Sequence, residues 1–330
     1  MEQNSERDVT EAALGGASGR GTQEIASDVA YLRTAIVNVF FCGPRDAGDR
    51  NWVLVDAGIP GAADRIVGAA AARFGWGARP AAIILTHGHF DHVGALKELA
   101  RKWEAPVYAH PLELPYLTGR SAYPPPDPTV GGGAMARLAS LYPRGPIYVG
   151  PGLKELPSDN TVPHLDGWRW IHTPGHTAGH VSLFRDRDRL LIAGDAVTTT
   201  QQESAMAVIS QRQEMHGPPM YFTPDWGASA KSAALLADLD PQIVATGHGR
   251  PMSGPGAADA LHDLVANFNE RAVPRHGRYV DNGPAVADEG GVVSVPPAVD
   301  DPFPKLLLGA GAAAIAGLVI RRAMNNRREL

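Results

Sequence analysis

The chain of 330 residues holds one cysteine, Cys42. A disulfide framework and a thiolate metal cluster are therefore both excluded within one chain. A core of this size needs no such staples. A basic excess is missing too: 30 Lys and Arg stand against 35 Asp and Glu, a formal charge of −5. Proteins that hold nucleic acid by bulk charge show the opposite balance, so nucleic acid is not expected as a partner. No apolar stretch follows a basic start, which argues against a secretory leader and makes the cytoplasm the expected compartment. Charged residues are 20% and apolar residues 44%, so the chain is neither disordered as a whole nor polytopic in a membrane. There is no internal repeat. The apolar run at 306–320 has fifteen residues. As a helix it would reach ~22 Å, short of a ~30 Å hydrocarbon core.

What the chain does have is a central body of alternating strand and helix patterns. Residues 1–27 are polar and small, and are expected to form a mobile N-terminal tail. Strand patterns then occur at AIVNVFFCG, NWVLVDAG, AAIILTH, APVYAH, GWRWIHT, HVSLFRD, DRLLIAGD and QIVATGHG. Helix patterns fall at ADRIVGAAAARF, VGALKELARKW, across much of 201–240, and at AADALHDLVANFNERAV. Residues 28–273 thus read as one mixed α/β domain. Residues 274–304, rich in Pro, Gly, Val and Asp, read as a linker. Residues 305–330 read as an apolar helix with a basic end at Arg321, Arg322, Arg327 and Arg328. Gly309, Ala313 and Gly317 give it a small-residue face. It is either an anchor to a membrane or partner helix, or a weakly ordered tail.

The chemistry rests on histidine, of which there are 12. Thr86-His87-Gly88-His89-Phe90-Asp91-His92 directly follows a strand pattern. It therefore sits on the loop leaving that strand's carboxyl end, where open α/β sheets place ligands. Imidazole nitrogen and carboxylate oxygen are the ligands that zinc accepts when thiolate is absent. In an extended segment residues two apart face the same way, so His87 and His89 can grip one ion. A turn into helix after His89 would send Asp91 and His92 to a second. Three further strands end in a metal-competent residue among glycines: His176 in TPGHTAGH, Asp195 in LIAGDAV and His248 in ATGHG. Each signal is weak alone. Together they supply about the number of ligands two ions need if a carboxylate bridges and each ion keeps an open position.

These motifs, in this order, resemble the metallo-β-lactamase superfamily over about residues 31–265. THGHFDH matches the family's His-x-His-x-Asp-His, and LVDAG, TPGHTAGH, LIAGDAV and ATGHG match its other motifs. The resemblance implies an αβ/βα sandwich of two mixed β-sheets flanked by helices, with metals between the sheets at one edge. It implies that His87, His89 and His176 bind a first metal, that Asp91, His92 and His248 bind a second, and that Asp195 bridges them with a hydroxide. Two zinc ions are expected, with iron or manganese as alternatives. Asp56 of LVDAG would orient a ligand imidazole, or else cap a turn before Gly58. An aspartate at 195 and the absence of a cysteine ligand disfavour β-lactam hydrolysis. Histidine at 89 disfavours the diiron flavoprotein branch, and the acidic balance disfavours the RNA-processing nucleases. What remains is similar to the glyoxalase II and lactonase group, which hydrolyse an ester, lactone or thioester carbonyl, with Asp91 shuttling the proton. The alternative on the same fold is a mononuclear iron persulfide dioxygenase. A basic glutathione-binding region is not evident in 250–281, which tilts the reading to lactones and simple esters.

His216, Tyr221, Phe222 and Trp226, in EMHGPPMYFTPDW, are candidates for a substrate-pocket wall, or for a helix–loop packing cluster. His180 reads as a structural hydrogen-bonder and Cys42 as a small buried residue in a strand.

Overall fold

Alternation along the strands decides the layers. In β4 (Val53–Val55) Val53 and Val55 face one way and Leu54 the other; in β5 (Ala82–Ile84) Ala82 and Ile84 oppose Ile83. All six are buried, because both faces of this sheet are covered. The structure, a computed structural model, describes residues 21–300. Its first sheet runs in the order β1 (Gln23–Ala26), β2 (Val29–Thr34), β3 (Val37–Cys42), β4, β5, β6 (Val107–Ala109), β7 (Leu153–Glu155). Pairing is antiparallel from β1 to β4 and parallel from β4 to β7. The second sheet has the order β12 (Met252–Ser253), β11 (Ile243–Thr246), β10 (Leu190–Gly194), β9 (Val181–Arg185), β8 (Trp168–His172).

Helices α1 (Ala63–Phe74) and α2 (Leu96–Trp103) lay Ile66, Ala70, Phe74, Leu96 and Leu99 on the outer face of the first sheet. Trp52 anchors that layer, stacked on Phe74 at 4.4 Å and edge-on to Trp103 at 5.6 Å. Helices α3 (Trp226–Ala237) and α4 (Pro255–Ala266) cover the second sheet with Leu236, Leu261 and Leu264. The middle layer joins the sheets: Val29, Phe40, Val55 and Ile84 meet Trp168, Leu183, Ile192 and Ala245. Each large aliphatic or aromatic side chain buried this way contributes roughly 1.5–3 kcal/mol. The result is the expected αβ/βα sandwich. Cys42 is buried in β3, and burial pushes its thiol up to about 12, which makes it inert.

Three expectations are corrected. The N-terminal tail was expected through residue 27, yet β1 pairs with β2, and Glu24 accepts a 2.6 Å ion pair from the buried Arg73 of α1. An edge strand with one wet face carries no hydrophobic signal, which is why it reads as tail. The linker at 274–304 holds structure as well: a helical turn α5 (Arg278–Asp281) and an antiparallel hairpin of β13 (Val286–Asp288) and β14 (Gly291–Ser294). Its glycines make the hairpin turn, where Asp288 accepts the Gly290 N–H at 2.7 Å. Residues 201–240 are less helical than expected, with Ala205–Ser210 and α3 as the α-helices. Gly217-Pro218-Pro219 lies between them and lacks two backbone donors. The apolar segment 306–320 lies outside the described residues, as do residues 1–20. Among the described residues no helix is long and apolar enough to cross a membrane.

Candidate metal centre

Four strand ends converge. The 87–92 loop follows β5, His176 lies in the β8–β9 connection, Asp195 follows β10 and His248 follows β11. The convergence is a product of parallel pairing: β10 and β11 run the same way, so Asp195 and His248 leave the sheet at one edge. Glycine makes the approach feasible. A Cβ on Gly247 would fall 2.1 Å from Asp195 Oδ1 and 2.7 Å from His92 Cε1.

The donors form three overlapping groups: His87, His89 and His176; His87, His92 and Asp195; Asp91, His92 and His248. Within each group the ligand atoms lie within 4.8 Å of one another. Asp195 sits centrally, its oxygens 3.5 Å from His92 Nε2, 3.5 Å from His176 Nε2 and 3.1 Å from His248 Nε2. Asp91 is 3.5 Å from His248 Nε2. All seven side chains are buried. Yet His87 Nε2, His92 Nε2 and Asp195 Oδ1 have no hydrogen-bond partner. Buried polar atoms are almost always satisfied. Orphans that face one another inside a donor cluster are what a cation would satisfy, so the residues fit a pair of metal ions.

The opposite edge of four of the five rings is held. His92 Nδ1 meets Asp56 at 2.8 Å, His248 Nδ1 meets the Ile36 carbonyl at 2.8 Å, His87 Nδ1 meets Thr86 Oγ1 at 3.1 Å, and His176 Nδ1 meets Thr223 Oγ1 at 3.3 Å. Such contacts fix the ring's tautomer and aim. Asp56 also accepts the Thr86 N–H and hydroxyl, both at 2.8 Å, so it braces the loop as well as the imidazole. His180 accepts the Asp195 N–H at 2.9 Å and pairs with Thr173 Oγ1 at 2.8 Å, a structural role as expected.

Electrostatics suit cation capture. Burial first, then the like charge of neighbouring imidazoles, holds His87 and His176 well below the usual imidazole range and takes His89 down to about 3. They stand neutral; His87 Nε2 is without a partner, and His89 Nδ1 faces His176 Nε2 at 2.9 Å. Burial opposes protonation of His92 and His248 too, but the carboxylates beside them outweigh it and raise both. Burial would raise Asp195, yet His248 and His92 draw it well below the carboxylate range.

Sequence reasoning missed Glu113. Its carboxylate is fully buried between the two metal-side loops. Oε1 accepts from Thr177 Oγ1 at 2.6 Å and from the Gly179 N–H at 3.0 Å; Oε2 accepts from the Gly88 N–H at 2.9 Å and from the Tyr123 hydroxyl. It thus ties the His87–His89 turn to the loop bearing His176. A lone glutamate after a strand carries no motif that would single it out.

Beside His89 and His176 opens a chamber of about 380 Å³. Of the four residues expected to wall a pocket, Phe222 lines it and stacks on His89 at 4.6 Å. The other three do not. Tyr221 packs with Ala136 and Ala139; Trp226 opens α3 and turns into the helix–sheet core; His216 pairs its backbone with Thr198. These three follow the packing-cluster reading. Tyr221 and Phe222 stay in ring contact at 5.1 Å within one buried cluster, with Phe222 on its chamber side.

Comparison with known proteins agrees with this geometry. The family model described as "Metallo-beta-lactamase superfamily" matches residues 34–248. A probable metallo-hydrolase of Bacillus subtilis, YflN, is 49% identical over 248 residues, covering 75% of this chain and 93% of that one. A hydroxyacylglutathione hydrolase of Methylobacterium nodulans is 28% identical, covering 62% of this chain and 64% of that one. Among solved structures, a beta-lactamase domain protein from Burkholderia ambifaria superposes with a TM-score of 0.53 at 20% identity, covering 75% and 76% of the two chains.

Proposed function

The chain belongs to the metallo-β-lactamase superfamily of metal-dependent hydrolases, and from that premise we propose that it hydrolyses an ester, lactone or thioester carbonyl at a binuclear centre. The observation that carries the reading is the facing set of orphaned atoms, His87 Nε2, His92 Nε2 and Asp195 Oδ1, among seven buried donors. His87, His89 and His176 would hold one cation, Asp91, His92 and His248 the other, with Asp195 between them. Zinc suits this donor set, and so do iron and manganese. Bound cations of this kind bring the pKa of water toward ~7 and polarise a carbonyl oxygen.

The rest is work for the chain's own residues. Asp56 keeps His92 aimed and His180 holds the Asp195 backbone. Asp91 is the carboxylate placed to carry a proton to the leaving group. Phe222 and its neighbours exclude water from one side. A relative named for a hydroxyacylglutathione, which is a thioester, supports carbonyl chemistry of this class. The partner is a small molecule, and the expected compartment is the cytoplasm.

The test is metal analysis with mutation. Protein purified without added metal should carry two metal ions per chain; one iron with oxygen consumption would favour the dioxygenase instead. Asp195→Ala and His89→Ala should each lose metal and turnover. Unaltered hydrolysis by both variants would overturn the proposal.

A further inference from the structure

The family match ends at His248, and the sequence gives residues 274–304 no role beyond joining segments. In the structure Tyr279 and residues 284–287 come back to the centre. Tyr279, Pro284, Ala285 and Val286 form one side of the chamber whose inner end is His89 and His176. Three contacts hold them there. The Ala285 N–H bonds the Pro224 carbonyl at 3.1 Å, the Val292 N–H bonds Ser121 Oγ at 3.1 Å, and the Arg278 N–H bonds Asp127 at 2.5 Å. Gly277 and Gly291 permit the docking: a Cβ there would lie 2.6 Å from Asp127 Oδ2 and 2.2 Å from Ser121 Cβ.

The facing side is aromatic and apolar, with Tyr116 stacked on Tyr123 at 3.8 Å beside Phe222, Leu112 and Pro124. Among the described lining residues there is no Lys and no Arg. Most of the polar groups in the lining are already committed within the protein. The Tyr123 hydroxyl and Thr177 Oγ1 donate to Glu113, the Tyr279 hydroxyl donates to the Pro125 carbonyl at 2.6 Å, and His172 Nε2 is 2.8 Å from the Ala178 carbonyl. Asp225 accepts the Ala228 N–H at 2.9 Å and is the lining's one carboxylate. Lys231 lines an adjoining outer groove rather than the chamber, and Arg278 lies over the Tyr279 ring, 5.9 Å from its centroid, without entering the lining.

We propose that this chamber is the specificity pocket for the hydrolase, that it admits an uncharged apolar acyl group and rejects an anionic one, and that Tyr279 and Pro284–Val286 are its outer wall. The claim rests on the hydrolytic reading above and narrows it. The volume lies in the range of small-molecule sites, which are mostly apolar with few polar anchors. A carboxylate at the far end of an acyl chain, held away from the metal end, would lose water, find no Lys or Arg in the lining and meet Asp225; a desolvated charge without a partner is strongly disfavoured. An alkyl chain would gain with each methylene it buries.

The experiment uses the metal-loaded full chain and p-nitrophenyl esters. From acetate through butyrate to hexanoate, kcat/KM should rise about fourfold per methylene until the chamber fills. The anionic hemiglutarate should fall about 100-fold or more below pentanoate, its neutral counterpart in length. Val286→Arg, at a half-exposed position on the rim, should raise the hemiglutarate-to-pentanoate ratio about tenfold. Equal use of the two esters, or a ratio that Val286→Arg leaves unchanged, would overturn the inference while leaving hydrolysis intact. Failure to hydrolyse any ester would overturn the hydrolytic reading instead. The chamber is then tested by saturation-transfer NMR with butyl acetate against monomethyl glutarate. Saturation of the neutral probe alone, weakened by Val286→Arg, supports the pocket; equal saturation of both rejects it.

Discussion

Replacing Glu113 tests whether the two metal-side loops are tied by one carboxylate. Its oxygens accept four hydrogen bonds, two from hydroxyls and two from the backbone N–H groups of Gly88 and Gly179. In Glu113→Ala the hydroxyls of Thr177 and Tyr123 can rotate toward other partners, but the two N–H groups cannot. A buried donor left unsatisfied costs about 1–3 kcal/mol, so two cost roughly 2–6 kcal/mol. Relief of the buried carboxylate, whose pKa burial already raises, offsets part of that. A net loss of about 2–4 kcal/mol is a large share of an ordinary stability of about 5–15 kcal/mol. Glu113→Gln is more telling because shape is kept. One edge of the amide then presents N–H to a backbone N–H, so about 1–3 kcal/mol should still go. Urea unfolding of the metal-free chain reads the loss as a lower midpoint at constant slope. Titration with zinc should show weaker binding, because the turn carrying His87 and His89 is no longer held to the loop carrying His176. A Gln variant with the midpoint and zinc affinity of the parent chain would refute the reasoning.

Gly247→Ala would push a methyl group onto Asp195 Oδ1, at 2.1 Å; we expect metal content and turnover to drop while circular dichroism stays that of the parent, and full metal occupancy would contradict it. Asp56 stands at φ 61°, a backbone state that asparagine tolerates. Asp56→Asn should therefore fold, yet bind metal about 10- to 100-fold more weakly in competition with a chelator, through the altered contact to His92. His180, taken down to about 3 chiefly by burial, is neutral when folded and titrates near 6.5 when unfolded. Its contribution is complete above about pH 6.5 and is lost as the pH falls toward about 3. His180→Gln should flatten the fall in metal-free stability between those limits by up to about 1.4 kcal/mol per pH unit. An unchanged slope would show that another group carries it.

The site was more legible than its surroundings. Imidazole clustering and glycine-flanked strand ends are local in sequence, and the structure brings together all seven residues they mark. The sandwich was legible through the resemblance that the motifs carry; Val53–Val55 and Ala82–Ile84 are apolar throughout because both their faces are covered, so their pattern marks buried strands but not the layers. Illegible were the features made by long-range contact. β1 shows little burial of its own and is secured by Arg73, 49 positions away from Glu24. Tyr279 reaches Pro125 across 154 positions, and no composition rule points there. Glu113 is a single acid whose partners lie 25 and 66 positions off.

The donors come from both halves of the sandwich: His87 to His92 leave the first sheet, and His176, Asp195 and His248 leave the second. Ions seated among them would act as a rivet through the seam between the two leaves, adding to the hydrocarbon of the middle layer and to the bonds of Asn38, His248 and Glu113 that already cross it. Chelation should then let the leaves breathe. Amide exchange would quicken along the edge where β5 and β10 end, and a protease would find the 173–180 connection before it found either helical layer.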